Sequence, residues 1–208
     1  MNQPTGLRER KKHATHRALA SVAVRLAAAR GLDQVTVEDI AGEAGVSPRT
    51  FFNYFASKED AVLMPYPDNE ERAQRSVERF LAAPAHLSSL EALVEAIKPD
   101  IESIEAERED WLARLDVIER NSALVSRVIA AQASSNRAVV VAIAERTGLD
   151  PDRDLFPRLL FGVVANAMQA AVMRWHAFGG EEPLTELIDQ ACAAIAAGLP
   201  DPGEQNKH

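Results

Sequence analysis

Cysteine, aromatic residues and long uncharged segments are all scarce in this 208-residue chain. A single cysteine, Cys192, cannot form an intramolecular disulfide, which favours a reducing compartment. The N-terminus is basic and polar and lacks the apolar segment of a signal peptide. The longest uncharged run in the second half, residues 159–173, is shorter than the about 20 residues that a membrane-spanning helix needs. We therefore expect a cytoplasmic protein with no membrane partner.

The sequence motifs of several enzyme classes are also missing. The chain has no G-x-S-x-G nucleophile motif and no glycine-rich phosphate loop. None of its five histidines follows a glutamate by three residues, as the ligands of di-iron helical bundles do. The acidic run at residues 102–110 is interpreted as a solvated helix face, and His13 and His16 lack further ligands nearby. We expect no metal, no cofactor and no catalytic residues.

The composition favours a helical protein with an uneven charge distribution. Hydrophobic residues make up 47% of the chain, enough for a core, alanine is abundant, and no strand-like alternation of any length occurs. This predicts an all-α fold. Residues 1–60 contain nine lysines and arginines against seven acidic residues, although the whole chain has a net charge of -8. The N-terminal end is therefore the one suited to a polyanion such as DNA.

The segment from Thr36 to Asp60 reads TVEDIAGEAGVSPRTFFNYFASKED and predicts two short helices joined by a tight turn. Thr36 and Asp39 have the spacing of a capping box, which begins the first helix, and a glycine at Gly45 is suited to end it. Ser47 as N-cap, followed by a proline at the first helical position, begins the second helix. This arrangement is a helix-turn-helix, the motif with which many proteins bind the major groove.

The second of these helices divides cleanly into an apolar and a polar face. A projection at about 100° per residue, over eight residues, places Phe51, Phe52 and Phe55 on the apolar side. The opposite arc holds Arg49, Thr50, Asn53 and Tyr54. Such side chains read base edges and phosphates, so we predict that this face contacts DNA, although a surface helix with a merely polar exterior has the same pattern. Ser57 and Asp60 predict a further helix whose first residue, Lys58, is placed to bind a phosphate.

The stretch TVEDIAGEAGVSPRTFFNYFASKEDAVL resembles the N-terminal domain of the TetR family of transcriptional regulators, and the similarity covers about residues 8–63. The resemblance implies that the third helix of the chain is the recognition helix. The DNA-contacting positions that it implies are Thr36, Ser47, Pro48, Arg49, Thr50, Asn53, Tyr54 and Lys58. The family often has tyrosine where this chain has Phe52, which cannot donate a hydrogen bond to a phosphate, so Phe52 is left out.

We divide the chain into a helix-turn-helix DNA-binding domain at residues 1–63, with a basic arm at 1–12, and a helical effector-binding and dimerisation domain at 69–200. Residues 201–208 are expected to be a disordered tail. Two prolines, Pro65 and Pro67, must interrupt the fourth helix early, whereas the family usually has a longer one. Further helices are predicted at about 70–82, 88–106, 109–120, 122–147, 155–178 and 183–198.

The last two predicted helices carry long apolar stripes that need a partner on most sides. They can be covered within one chain, or by the same pair of helices from a second copy in a four-helix interface. The family pattern and two-fold DNA sites favour a homodimer. The predicted interface consists of Phe156, Leu160, Val163, Val164, Ala167, Leu184, Leu187, Ile188, Ala191 and Ile195.

The C-terminal half also resembles, more loosely, the C-terminal domain of TetR-type regulators that bind acyl-CoA-like ligands, a group that includes mycofactocin-associated regulators. The similarity runs from RLDVIERNSAL through ERTGLDPDRDLFPRLL to RWHAFGG. It implies a small hydrophobic or acyl-type effector. The candidate pocket residues are Trp111, Leu115, Asp116, Phe161, Asn166, Gln169 and Trp175, each of which can equally serve in packing.

The sequence as a whole predicts a ligand-responsive transcriptional regulator that binds a double-stranded, pseudo-palindromic operator as a dimer. A repressor released by its effector is the form of regulation that we expect. The alternative is a helical small-molecule-binding or protein-interaction module in which the helix-turn-helix only packs and binds no specific DNA.

Overall fold

The computed structural model describes residues 6–199, apart from the side chains of residues 129–135. Within that range the chain forms ten α-helices and one 3-10 turn and no strand, which confirms the predicted all-α fold. The helices are α1 Leu7–Arg30, α2 Val37–Glu43, α3 Pro48–Phe52, α4 Lys58–Leu63, α5 Asn69–Ala82, α6 Ser89–Ala106, α7 Arg108–Glu119, α8 Ser122–Thr147, α9 Leu155–Ala177 and α10 Leu184–Ala196, with the 3-10 turn at Leu32–Gln34.

The first of two compact units combines the chain up to Glu71 with Glu109–Ala131. Its core is built from the apolar faces of α1 to α4 and includes Val117 of α7 and Leu124 of α8, which are almost completely buried. The predicted boundary, which assigned all of residues 69–200 to one domain, therefore differs from the structure. Apolar side chains of α7 and α8 complete the core of the helix-turn-helix unit.

Helix α4 ends at Leu63, before Pro65 and Pro67, as the sequence predicts. The carbonyl groups at the end of a helix have no hydrogen-bond donor within that helix. At the end of α4, two side chains from other helices provide the donors. The imidazole Nε2 of His16 lies 2.9 Å from the Met64 carbonyl oxygen, and the guanidinium of Arg114 donates to the Val62 carbonyl. Burial lowers the pKa of His16, which favours its neutral form.

The second unit comprises Arg72–Arg108 and, among the described residues, the chain from Gln132 to Leu199. Its core includes Phe80 of α5, Leu93 of α6, Ile143 of α8 and Val164 of α9. Arg146 donates to the Ala83 and Pro84 carbonyl oxygens, each at 2.8 Å, and so caps the C-terminal end of α5. These contacts fix α5, α6, the later part of α8 and α9 around one interior, and α10 packs against α6 and α9.

The part of the chain that the structure describes leaves one face of α9 uncovered. By length and composition this helix is apolar enough to cross a membrane, a test that core helices of water-soluble proteins also pass, and only 22% of its most apolar window is buried. Its buried side faces the second unit's interior through Val164, Ala171 and Trp175. The opposite side exposes Leu155, Leu159 and Met173 around the polar Asn166, so a largely apolar surface lies open along the helix.

Candidate nucleic-acid interface

Helix α2 begins with the predicted capping box. The Thr36 hydroxyl accepts from the Asp39 amide at 3.1 Å, and the Thr36 amide donates to Asp39 Oδ2 at 2.9 Å. Hydrogen bonds from the Thr36 side chain and then from its backbone hold the pKa of Asp39 below its ordinary value. The ionised carboxylate therefore stays beside the positive end of α2.

The turn between α2 and α3 is formed by Gly45 and Val46. Gly45 adopts a φ of +69°, a left-handed conformation that favours glycine, and the Val46 amide then donates to the Ala41 carbonyl at 2.9 Å. The Ser47 hydroxyl accepts from the Thr50 amide at 3.1 Å and also shares a 2.9 Å hydrogen bond with the Thr50 hydroxyl. With Pro48 at the start, α3 is therefore oriented by local contacts that the sequence predicts.

Helix α3 is attached to the core by two phenylalanines rather than three. Phe51 is fully buried and Phe55 is 3% exposed, whereas Phe52 is 57% exposed. The prediction that Phe52 lies on the buried side is therefore wrong. Successive residues are about 100° apart around a helix, so Phe52 lies at the edge of the apolar arc, where no part of the described chain covers it. The regular helix also ends at Phe52, and Asn53 to Phe55 continue as a hydrogen-bonded turn.

The polar side of α3 is open to solvent. Ser47, Pro48, Arg49 and Asn53 are exposed and Thr50 and Tyr54 are half-buried. Within residues 6–199, no hydrogen bond or ion pair engages the guanidinium of Arg49. The structure therefore leaves four of the six predicted contact residues of this segment accessible, while Tyr54 packs in part against the core of the first unit. This polar surface, with Thr36 at the start of α2, is suited to base edges and phosphate oxygens.

Lys58 has a role inside the protein that the sequence did not reveal. Its ammonium nitrogen donates to the Leu32 carbonyl at 2.8 Å and to the Val35 carbonyl at 2.9 Å. These bonds connect the first turn of α4 to the 3-10 turn that precedes α2. An ammonium has three N–H groups, so one donor remains for a phosphate, and the predicted DNA contact of Lys58 stays a prediction.

Arg127 is a residue beside this interface that sequence reasoning missed. Its guanidinium donates to Asp60 Oδ1 at 2.6 Å and to the Ser57 hydroxyl at 3.4 Å, both in the segment that begins α4. Arg127 follows Asp60 by 67 residues, so no local spacing could have indicated the pair. Helix α1 begins at Leu7, which makes residues 8–12 of the predicted basic arm helical; residues 1–5 and 200–208 lie outside the described residues.

The first unit contains a helix-turn-helix whose second helix exposes an arginine and an amide, and the chain has a further helical unit. These features are typical of a DNA-binding regulator. Comparison with family models supports this class. Residues 19–63 match "Bacterial regulatory proteins, tetR family", and residues 87–200 match the MftR C-terminal domain. The chain belongs to the TetR family of transcriptional regulators.

The chain is similar to proteins from several bacteria. It is 30% identical to the HTH-type transcriptional regulator TcmR of Streptomyces glaucescens over 82% of this chain and 77% of that protein. Among solved structures, the fatty acid degradation regulator FadR of Bacillus halodurans has a TM-score of 0.61 at 20% identity, covering 88% of this chain and 98% of that one. FadR of Thermus thermophilus in complex with lauroyl-CoA has a TM-score of 0.51 at 22% identity, covering 90% and 99%.

The second unit contains an apolar cavity of about 140 Å³. Of the seven predicted pocket residues, only Phe161 lines it. Trp111, Leu115 and Asp116 belong to the first unit, where Trp111 donates to the Tyr66 hydroxyl at 3.3 Å. The other three are placed elsewhere in the second unit: Asn166 and Gln169 are exposed and Trp175 is buried in its core. The cavity lining consists of Ser76, Val77, Phe80, Leu93, Ala96, Ile97, Val139, Ala142, Phe161, Val164, Ala165 and Met168.

The predicted dimer residues also fall into separate groups. Those buried in the protomer's own core are Val164, Ala167, Leu184, Leu187 and Ile188. Those that are half-buried are Leu160, Val163, Ala191 and Ile195, and Phe156 is exposed. The buried group is covered within the protomer, where α10 packs against α6 and α9. The predicted interface as a whole stays a prediction, and α9 also has an open face. That face carries Leu155, Leu159 and Met173.

Proposed function

We propose that the protein is a ligand-responsive regulator, in the mode of a repressor, that binds a pseudo-palindromic operator as a homodimer. The observation that carries the proposal is the open face of α3, fixed in place by Phe51 and Phe55 in the core. Since such a regulator has to reach the bacterial chromosome, we place it in the cytoplasm. Two copies related by a two-fold axis would insert their α3 helices into major grooves about one helical turn apart.

Arg49 and Asn53 are suited to base recognition because of their chemistry and spacing. Arginine forms two parallel hydrogen bonds with guanine, and asparagine forms two with adenine. Residues four apart lie on the same side of a helical segment, about 5 to 6 Å between Cβ atoms, so both side chains can enter one groove. Both are exposed here, and neither has to break a described internal contact before it meets DNA.

Arg49→Ala is expected to weaken operator binding by about 1 to 3 kcal/mol, roughly 5- to 150-fold, and to relax sequence preference at one base pair. Mobility shift on DNA flanking the gene, with scrambled DNA as competitor, measures both effects. Arg153→Ala is the matched control, because Arg153 is an exposed arginine in the loop before α9. Retention of full affinity and selectivity by Arg49→Ala would show that another surface reads the DNA. If the unaltered protein gives no mobility shift that depends on salt and on DNA sequence, the result would favour a packing role for the helix-turn-helix.

The proposed dimer rests on the open apolar face of α9. A helical projection places Leu155, Leu159, Ala170 and Met173 within about 60° of one another, on the side opposite the buried residues of that helix. The same face contains Gly162, which has no side chain, and Ala170, which has only a methyl group, so two helices can approach closely there; the exposed Asn166 also lies on it. A second copy related by a two-fold axis would cover this surface with its own α9.

Leu159→Glu is expected to weaken dimerisation by about 2 kcal/mol, roughly 30-fold, because it places a charge in a desolvated contact. Sedimentation velocity across a concentration series measures the change. Leu149→Glu is the control, since Leu149 is an exposed leucine in the loop after α8. Equal dimer populations for both variants would place the interface on another face.

The proposed effector is hydrophobic or acyl-type, because one cavity of the second unit, of about 140 Å³, is lined almost entirely by apolar side chains. A larger and more open cavity of about 680 Å³ in the same unit includes Arg79, Glu91 and Asp189 in its lining. The apolar lining of the smaller cavity excludes water and favours a hydrocarbon chain over a polar ligand. The lauroyl-CoA complex of the Thermus thermophilus protein is consistent with that ligand class. In the same mobility shift, acyl thioesters of increasing chain length should release the DNA, with free coenzyme A as control. A coupling of about 1 to 3 kcal/mol would give roughly 5- to 150-fold release.

A further inference from the structure

Phe52 is an exposed aromatic ring on a surface otherwise formed by polar groups. Among the described residues of the first unit it is the one exposed aromatic side chain, with 57% of its surface accessible. Leaving an apolar ring in water forgoes the free energy that burial would provide. Its two phenylalanine neighbours, Phe51 and Phe55, are buried, so the core has no need of a third ring at this position.

The ring of Phe52 is held in a defined orientation beside Arg49. Phe52 follows Arg49 by three residues, which makes the two side chains neighbours on the same helix surface. Its ring stands edge-on to that of Phe51, with 5.6 Å between centroids and an interplanar angle of 89°. Because Phe51 is fully buried, this contact limits the positions that the Phe52 ring can adopt. A ring ordered before binding loses little conformational freedom when it meets a partner.

We propose that Phe52 is a specificity-determining residue that recognises thymine through its 5-methyl group. The inference rests on the proposed DNA binding and adds a base to what α3 reads. A phenyl ring has no donor for a phosphate, but the thymine methyl is an apolar group that the major groove displays, and phenylalanine is suited to contact it. Arg49 and Phe52 together would therefore read neighbouring base pairs, one through hydrogen bonds and the other through a methyl contact.

The test replaces each thymine of the operator half-site, one at a time, with deoxyuridine, which lacks only the methyl group. The unaltered protein is expected to lose about three- to tenfold in affinity at one position, the range expected for a buried methyl group. Phe52→Ala should bind thymine-containing DNA more weakly by a similar factor and should no longer distinguish thymine from uracil there. Phe52→Leu, which keeps an apolar side chain, should retain part of the discrimination.

Arg49→Ala is the matched control, because it should weaken binding while preserving the preference for the methylated base. Thermal unfolding of each variant shows that the domain remains folded, as expected for a change at an exposed position. If the unaltered protein prefers no sequence at all, the proposed DNA binding fails and the methyl contact fails with it. If it binds its operator, but Phe52→Ala keeps the full thymine preference or no thymine methyl affects affinity, the inference is overturned while the proposed function stands.

Discussion

Arg114→Met is expected to lower the free energy of unfolding by about 2 to 4 kcal/mol, because it removes the buried partner of an ion pair with the partly exposed Asp110. Arg114 is 1% exposed, donates to Asp110 Oδ2 at 2.7 Å and to the Val62 carbonyl, and lies over the ring of Trp111. Methionine has about the length of the aliphatic part of the arginine side chain but donates no hydrogen bond. The carbonyl at the end of α4 and the Asp110 carboxylate would both lose a donor.

Urea denaturation followed by tryptophan fluorescence measures this change, since Trp111 is in direct contact with Arg114. The control is Arg120→Met, which changes an exposed arginine just after the end of α7. Burial is the main factor that lowers the pKa of the Arg114 guanidinium, while the charge and hydrogen bond of Asp110 oppose the shift. An arginine remains charged at neutral pH, so Arg114→Met should lower the free energy of unfolding at every pH near neutrality. A deficit no larger than that of Arg120→Met would mean that Arg114 does not stabilise the end of α4.

The contacts that were predictable from the sequence are the local ones. Thr36, Ser47 and Ser57 each accept from the amide three residues later, so the donor and acceptor appear together in a short window of sequence. The end of α4 was predictable for the same reason, because proline acts on its own segment. The position and direction of the recognition helix follow from these few residues.

The contacts that were not predictable join distant parts of the chain. Arg114 reaches a carbonyl 52 residues away, and Lys58 reaches carbonyls 26 and 23 residues away. Backbone carbonyls are present at every residue, so the sequence gives no sign of which ones a side chain will reach. The assignment of α7 to the first unit follows from the same kind of long-range packing, through Val117 in particular.

The wrong prediction for Phe52 of α3 and the burial of some predicted interface residues of α9 have a related cause. A helical projection gives the angular order of side chains but not the width of the surface that other elements cover. Phe52 lies just beyond the covered part of α3, and Val164 lies within the covered part of α9. Because α9 is apolar around most of its circumference, sequence alone cannot decide which side faces the same chain and which is left for a second copy. The cavity lining was missed because apolar residues that line a cavity have the same sequence pattern as those that only pack in a core.

Lys58→Met is expected to reduce both the stability of the protein and its affinity for DNA. The ammonium donates to two carbonyls, and hydrogen bonds from a charged group contribute about 1.5 to 3 kcal/mol each when well buried. Lys58 is only half-buried, so we expect a total loss of about 2 to 3 kcal/mol in the free energy of unfolding. Urea denaturation measures it. Lys98→Met is the control, since Lys98 is a partly exposed lysine whose ion pair with Glu95 is 3.7 Å long.

The effect of Lys58→Met on DNA binding separates an internal role from a phosphate contact. Neutral carbonyl groups orient the ammonium without cancelling its charge, so the cation remains available at the start of α4. If it neutralises one phosphate, the slope of log affinity against log salt should become shallower by about 0.9, equally for operator and scrambled DNA. An unchanged slope combined with lost stability would assign Lys58 to the fold alone. An unchanged unfolding free energy would instead show that the two carbonyl contacts do not stabilise the helix-turn-helix. Together with a shallower slope, it would assign Lys58 to the phosphate contact.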